Sequence, residues 1–101
     1  MNREINIYKV SGALDSKGFY HRINPITVEE KDKTYIGEGK RISKGKLMKI
    51  DTIFFENHKS IRYYTYCIDG QQQEALNLIK GHIIKKVNQY KEEIDILVSF
   101  I

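Results

Sequence analysis

Residues 69–101, DGQQQEALNLIKGHIIKKVNQYKEEIDILVSFI, repeat apolar residues at spacings of three or four positions. Their mean spacing, about 3.6 residues, is the period of an α-helix, so they lie on one face of a helix. This apolar face consists of Leu76, Ile79, Ile83, Val87, Tyr90, Ile94, Leu97 and Ile101. Asp69 suits the N-cap, and Gln72 three positions later completes a capping box, which predicts where the helix begins.

The predicted helix is long for a domain of this size. About 30 residues at about 1.5 Å per residue give a rod of roughly 45 Å. A compact domain of about 100 residues has a diameter of roughly 35 Å. A straight helix therefore extends beyond its own sheet, unless it breaks near Gly81 or residues 94–101 form a terminal strand instead.

The end of this helix is apolar on every side. Its face residues alternate by three and four positions from Val87 to Ile101, as in a coiled coil, and the last turns add Ile96, Val98 and Phe100. The alternative is that the apolar face is simply core. We expect the chain to form a homodimer through this end, and the predicted self-association residues are Tyr90, Ile94, Leu97 and Ile101.

The chain before residue 69 has the alternating apolar and polar residues of β-strands. The predicted strands are Glu4–Val10, Phe19–Ile23 with a continuation over Ile26–Glu29 after an edge or bulge at Pro25, Thr34–Ile36, Ile50–Phe55 as a central strand, and Ile61–Ile68. Residues 41–48 suit either a short strand or one helical turn. Short connections favour antiparallel neighbours. The prediction is a single domain with an α+β fold, in which an antiparallel sheet of four or five strands (residues 1–68) precedes one long C-terminal helix (residues 69–101) packed on it.

The composition of the chain indicates its cellular compartment and whether it binds a cofactor. The 101 residues carry a net charge of +4, with a pI near 9.1, which permits an acidic partner without demanding one. The one cysteine, Cys67, allows no intramolecular disulfide and no cysteine zinc site, and the three histidines are widely separated in the chain. We therefore expect no metal and no cofactor. The absence of a signal-peptide or transmembrane run predicts a cytoplasmic protein with no membrane partner.

The most suggestive polar segment is a run of cations that contains no acid. The run contains Lys40, Arg41, Lys44, Lys46 and Lys49. Because cations neutralise phosphate charge, this run and Arg62 are the candidate site for a partner or for nucleic acid. Tyr35, Tyr64 and Tyr66 add stacking surfaces if they share a face with the cations. The alternatives are a solvated loop for the cations and ordinary sheet packing for the tyrosines.

No local arrangement of residues supports catalysis. Residues 37–40 have the wrong spacing for a phosphate loop. Residues 43–46 match the S-x-x-K signature, but the other motifs that such acyl enzymes require are absent. No Cys-His or Ser-His-Asp set lies at local spacing. We therefore expect a protein that is not an enzyme.

Residues 27–35, TVEEKDKTY, followed by residues 40–44 and Leu47, resemble a pattern in small proteins of bacteriophages and other mobile elements. In that pattern a strand ends near K-T-Y, and a Gly-rich turn leads to R-I-x-K and an apolar residue. This chain departs from it at Gly45 and Lys46, where Ser or Asp is common. The resemblance implies a phage or mobile-element origin in a bacterial host. Such proteins include inhibitors of host defence nucleases and regulators that touch DNA or RNA.

Three functions from different classes follow. The first is a non-enzymatic phage-type protein that binds a bacterial protein or a protein–nucleic acid complex, as an anti-CRISPR-like inhibitor of a defence nuclease. The second is a small nucleic-acid-binding accessory or regulatory protein, and the third is a small enzyme. A basic groove between aromatics favours the second, and a large apolar or mixed patch outside the dimer contact favours the first. A deep pocket with convergent polar groups favours the third.

Overall fold

The computed structural model describes residues 3–52 and 60–101. These residues form a curled antiparallel sheet followed by one C-terminal helix, which confirms the α+β class. The described strands number six, so the prediction of four or five is wrong in count. The elements are β1 (Arg3–Asp15), β2 (Gly18–Glu30), β3 (Thr34–Gly37), β4 (Lys40–Ser43), a 3₁₀ turn (Lys44–Lys46), β5 (Asp51–Thr52), β6 (Ser60–Ile68) and α1 (Gln72–Val98).

The sheet has the strand order β4-β3-β2-β1-β6-β5. Its centre is the long hairpin of β1 and β2, whose register runs from the pair Asp15–Gly18 beside the turn to the pair Arg3–Glu30. Gly18 has a φ of +119°, a conformation that side chains with a Cβ rarely adopt. The Lys17 backbone N–H donates to Asp15 Oδ1 at 2.8 Å, which closes the turn.

Pro25 lies inside β2, opposite Tyr8, rather than interrupting the strand. The described pairing of β2 with β3 involves only Glu29 and Glu30, so the outer side of β2 at Pro25 has no described strand neighbour. A proline that lacks a backbone donor is tolerated at such an edge. The predicted edge position is therefore confirmed, whereas the bulge is unnecessary.

The segment after β4 makes the sheet curl. Residues 41–48 contain both structures that the sequence left open, since β4 ends at Ser43 and the 3₁₀ turn follows it. Leu47 then forms a parallel bridge with Tyr66, and the Met48 backbone N–H donates to the Tyr66 carbonyl at 2.8 Å. This contact joins the segment after β4 to the backbone of β6, the strand with which β5 also pairs.

The short strand β5 corrects the prediction for residues 50–55. It pairs only with β6, so it lies at one end of the described strand order rather than in the sheet centre. The apolar residues that suggested a central strand, at 53–55, lie outside the described residues. By contrast, β6 matches the predicted Ile61–Ile68 closely, and Cys67 is fully buried as expected of its position.

Helix α1 covers one face of β1 and β6. Its buried residues are Ala75, Leu76, Ile79 and Ile83, which pack with Val10, Ile61, Tyr63 and Cys67. Gly12 lets Ile79 of the helix approach β1 closely, because a Cβ at this position would lie 2.7 Å from Ile79 Cγ2. A second core lies on the opposite face of the sheet and contains Ile7, Ile26, Val28, Tyr35 and Ile42.

The helix is continuous from Gln72 to Val98, which excludes both a break at Gly81 and a terminal strand. It extends beyond the sheet as predicted: residues 91–101 are all exposed, and the longest dimension of the described molecule is 65 Å. The N-cap prediction is wrong, because Gln71 occupies that position and Asp69 Oδ1 instead accepts from the Gln72 side chain at 2.9 Å. No helix in residues 3–52 and 60–101 is both long and apolar enough to cross a membrane.

Candidate functional site

The sheet face that looks away from α1 carries a polar patch beside the second core. Strand alternation brings every second residue of β1 to this face. The hairpin register and the pairing of β1 with β6 then set three rows across the strands. From the hairpin turn towards the second core, the rows are Tyr20–Ala13–Arg62, Arg22–Ser11–Tyr64 and Asn24–Lys9–Tyr66.

These side chains differ in size, and a central cleft of about 510 Å³ lies between them. The middle strand contributes small residues, Ala13 and Ser11, whereas long side chains stand on both neighbouring strands. Three cations line the cleft, Lys9 from β1, Arg22 from β2 and Arg62 from β6, and no acid is among its described lining residues. Three adjacent strands therefore each present one positive charge to the same cleft.

A fixed carboxylate lies close to the central cleft. The Tyr20 hydroxyl donates to Asp15 Oδ2 at 2.8 Å. This hydrogen bond, followed by the one from the Lys17 backbone, holds the pKa of Asp15 below its usual value. The same bond raises the pKa of Tyr20, because losing the phenolic proton would place two negative charges together. Asp15 is thus ionised and Tyr20 neutral at neutral pH.

An edge cleft of about 360 Å³ lies between β4 and the β5–β6 pair. Three further cations line it: Arg41 at the edge strand, and Lys46 and Lys49 from the segment that returns to β6. Its single described acid is Asp51, whose Oδ2 lies 3.8 Å from Lys46 Nζ and accepts from the Tyr64 hydroxyl at 3.3 Å. The positive charge therefore exceeds the negative charge here as well.

Tyrosine rings separate the two clefts. Lys9 Nζ lies 4.6 Å from the centroid of the Tyr64 ring, and Tyr64 meets Tyr66 edge to face with centroids 5.8 Å apart. Burial raises the pKa of both phenols, and the charge of Asp51 adds to the effect. Both hydroxyls are therefore neutral at physiological pH. We call the two clefts and the Tyr64–Tyr66 pair together the basic face.

The basic face contains four of the six predicted cations. Arg41, Lys46 and Lys49 line the edge cleft, and Arg62 lines the central cleft. Lys44 is turned away, since its Nζ pairs with Glu30 Oε2 at 2.9 Å and lies 5.3 Å from the ring centroid of Tyr35. Lys40 is exposed but lines neither cleft.

For Tyr35, the alternative of ordinary sheet packing is the one observed. Its side chain is 3 % exposed, within the second core. Tyr64 and Tyr66 do share a face with the cations, as the sequence analysis required. Tyr35 and its partner Ile42 are both buried in the second core, whereas Tyr66 packs at the border of that core and also lines the edge cleft.

Of the residues that line the central cleft, sequence reasoning found only Arg62 and missed the others, among them Lys9, Arg22 and Tyr20. A signal for them existed in the turn at residues 15–18. Once Asp15 pairs with Gly18, counting back along the hairpin places Ser11 opposite Arg22 and Lys9 opposite Asn24. The prediction ended the first strand at Val10, five residues short of the turn, and this register was lost.

The predicted self-association residues lie along the helix where it leaves the sheet. Tyr90 is half-buried against the helix-side core. Ile94, Leu97 and Ile101 are 55 %, 67 % and 105 % exposed, so they do not belong to the core of their own domain. The alternative in which the whole apolar face is core thus holds only for the first part of the helix.

The chemistry of the basic face is that of anion recognition. Arginine and lysine donors surround both clefts, and the neutral phenols add ring faces, since the Tyr20 and Tyr64 hydroxyls already donate to Asp15 and Asp51. Cys67 lies on the other side of the sheet, and burial raises the pKa of its thiol. Residues 3–52 and 60–101 contain no group of three or more His, Cys, Asp or Glu side chains placed to hold a metal ion.

Comparison with known proteins gives no match, either to a protein-family model, to a curated protein or to a solved structure. The geometry of the chain itself therefore carries the functional argument.

Proposed function

We propose that this protein binds the phosphate backbone of single-stranded nucleic acid with its basic face. The observation that carries the proposal is the central cleft, where Lys9, Arg22 and Arg62 come from three neighbouring strands and no described acid lines the wall. Cations that neutralise phosphates supply most of the affinity of sequence-independent binding. The edge cleft extends the positive surface beyond the tyrosine pair.

The tyrosines favour a single strand over a duplex. Proteins that bind single strands combine a positive groove with aromatic rings on which unpaired bases stack. Tyr20 stands beside the central cleft and is 48 % exposed, and Tyr64 and Tyr66 line the edge cleft. Bases inside a duplex are already stacked and offer no free ring face to these side chains.

The test is binding of a fluorescent oligonucleotide of ~20 nucleotides, DNA or RNA, measured by anisotropy over a range of salt concentrations. The test variant combines Lys9→Gln with Lys46→Gln, which removes one cation from each cleft. Each phosphate contact on a single strand contributes roughly 0.7 to the slope of log affinity against log salt, so the double variant should lower the slope by about 1.4. Unrelated base sequences should weaken equally.

The matched control combines Lys33→Gln with Lys40→Gln. It removes the same charge from exposed positions that line neither cleft, so binding and salt slope should remain close to the wild-type values. If both double variants lose equal affinity, net charge rather than the basic face drives binding. A wild-type protein that gives no anisotropy change at ~150 mM salt would refute the proposal.

We also propose a second candidate, a non-enzymatic phage-type inhibitor that binds a bacterial defence nuclease. The observation that favours it is the mixed charge of the basic face: Asp51 lines the edge cleft and Asp15 lies close to the central one, both held by tyrosine hydroxyls. A protein surface presents both signs of charge, whereas a phosphate backbone repels carboxylates.

The same oligonucleotide experiment separates the two candidates when a nuclease is added. An inhibitor leaves the free oligonucleotide unbound, and the Lys9→Gln/Lys46→Gln variant alters only the inhibition of the nuclease. A nucleic-acid-binding protein binds without any enzyme present. The phage origin and the bacterial host that this second candidate implies remain part of the proposal.

A further inference from the structure

The apolar face of α1 has two different surroundings along one helix. Ile79 and Ile83 are buried against the sheet, and Val87 and Tyr90 are half-buried. The same spacing of three and four residues continues to the exposed Ile94, Leu97 and Ile101, so all seven residues lie on one narrow side of the helix. The sheet thus covers the first half of a face whose second half is bare.

An apolar notch marks the place where the helix leaves the sheet. It has a volume of about 450 Å³ and lies between the hairpin turn, the start of β6 and the helix. Its walls include Leu14, Ser16, Ile61, Tyr90 and Ile94. Asp15 and Lys91 also line it, and it reaches Ile94, the first exposed residue of the apolar face, so a helix that covers Ile94 also lies beside the notch.

We propose that the bare end of α1 pairs with the same segment of a second copy of this chain, with the two helices antiparallel. This inference goes beyond the proposed function and does not depend on it. The shared segment runs from Tyr90 to Ile101, and its helical part, which ends at Val98, is about 12 Å long. In this arrangement Tyr90 of each copy lies level with Ile101 of the other, and the last turn of each helix enters the apolar notch of the other copy.

The position of the sheet decides between antiparallel and parallel pairing. The partner helix must lie on the side of α1 that carries Ile94 and Leu97, which is also the side that carries the sheet. In a parallel pair the two sheets would occupy the same height on the same side and collide. In an antiparallel pair the sheets lie at opposite ends, and each helix end occupies space that the sheet of its own copy leaves free.

Charge along the helix agrees with this choice. In a parallel pair, Lys86 of one copy would lie across the seam from Lys91 of the other, so that two lysines would meet there. In the antiparallel pair, Lys91 and Glu93 instead lie beside residues 96–101 of the other copy, which contain no charged side chain. Antiparallel pairing therefore avoids like charges beside the shared seam.

The first test is sedimentation velocity of the whole chain up to ~100 µM, with two variants that each replace an exposed aliphatic residue by aspartate. Leu97→Asp puts the charge on the shared seam, whereas Ile96→Asp puts it almost opposite. Both residues are at least 60 % exposed, so both variants should keep the wild-type circular dichroism spectrum. Leu97→Asp should weaken association at least about tenfold, and Ile96→Asp should leave it nearly unchanged.

The second test addresses orientation by disulfide formation between chains that carry one new cysteine each. Ser16→Cys lines the notch and Ile101→Cys lies in the last turn, so an equimolar mixture should form the mixed disulfide under mild oxidation. Neither variant alone should cross-link efficiently, because both notches and both last turns lie apart in an antiparallel pair. The buried Cys67 is protected from the reaction.

Three results would overturn the proposal. The first is a wild-type monomer at ~100 µM, and the second is equal weakening of association by Ile96→Asp and Leu97→Asp. The third is efficient cross-linking of Ser16→Cys with itself, which would place the two hairpin turns side by side and so require a different arrangement.

Discussion

Strands β1 and β6 present two faces that differ in burial and in charge. Residues of the two faces alternate along each strand. On the helix side, Val10 and Ile61 are buried under α1. One residue further along each strand, Ser11 and Arg62 line an open basic cleft. One pair of strands thus contributes both to the stability of the domain and to its candidate binding surface. Substitutions should therefore affect stability on one face and binding on the other.

The largest expected effect on stability belongs to the helix side. Ile79 is fully buried and packs against Gly12, so Ile79→Ala should lower the free energy of unfolding by about 3–4 kcal/mol, from lost burial and the cavity that remains. Urea unfolding followed by circular dichroism measures the change. Because the basic face is on the other side of the sheet, oligonucleotide affinity should be unchanged below the unfolding transition.

The matched control for this substitution is Ile84→Ala, on the same helix at a position that is 61 % exposed. It should change the free energy of unfolding by less than about 0.5 kcal/mol. An equal loss at both positions would mean that α1 does not pack on the sheet through the face described here.

A smaller effect is expected where the helix comes closest to the sheet. A Cβ at Gly12 would lie 2.7 Å from Ile79 Cγ2 and 3.3 Å from the Phe19 ring. Gly12→Ala should therefore cost about 1–3 kcal/mol of stability through overpacking. A differential scanning calorimetry experiment checks this value. The double variant with Ile79→Val should recover part of the loss, because removal of Cδ1 gives the clashing Cγ2 group room to shift. No recovery would locate the strain elsewhere.

The smallest expected effect concerns Asp15, next to the central cleft. Its pKa in the folded protein is held down, first by the hydrogen bond from Tyr20 and then by the one from the Lys17 backbone. A depressed carboxyl pKa contributes stability that is present above the unfolded pKa, about 3.9. That contribution is lost as the pH falls through the folded pKa. Asp15→Asn removes this source of acid sensitivity.

The measurement is urea unfolding of both proteins between neutral pH and pH ~3. The difference in stability between wild type and Asp15→Asn should be largest near neutral pH and should shrink on acidification. Glu30, whose pKa the Lys44 and Arg3 contacts lower, is present in both proteins, so its contribution cancels in the difference. A difference that stays constant with pH would show that the Asp15 carboxylate has no specific role in the fold.

Local patterns in the sequence predict much of the fold. The helix, the strand β6 and the buried Cys67 follow from periodicities of 3.6 and 2 residues, which depend only on neighbours along the chain. The prediction failed where pairing or capping decides the outcome. Pro25 suggested a break that the unpaired side of β2 makes unnecessary, and Asp69 suggested a cap that Gln71 occupies.

The candidate site was predictable only in part, for the same reason. The run of cations at residues 40–49 is visible as a run, and three of its members do line the edge cleft. Lys44, at the start of the turn after β4, instead pairs with Glu30. This pairing cannot be predicted from the run of cations. The six-strand count also escaped prediction, because β4 and β5 are too short to show a period.

The length and period of the apolar face of α1 are properties of consecutive residues, so they can be predicted without knowledge of the fold. Which cations share a surface depends instead on how the strands pair. Lys9, Arg22 and Arg62 are distant in the chain and meet because the strand order places β1 between β2 and β6. A sheet is built from hydrogen bonds between strands, and the neighbour that each strand takes depends on the packing of the whole domain and not on distance along the chain.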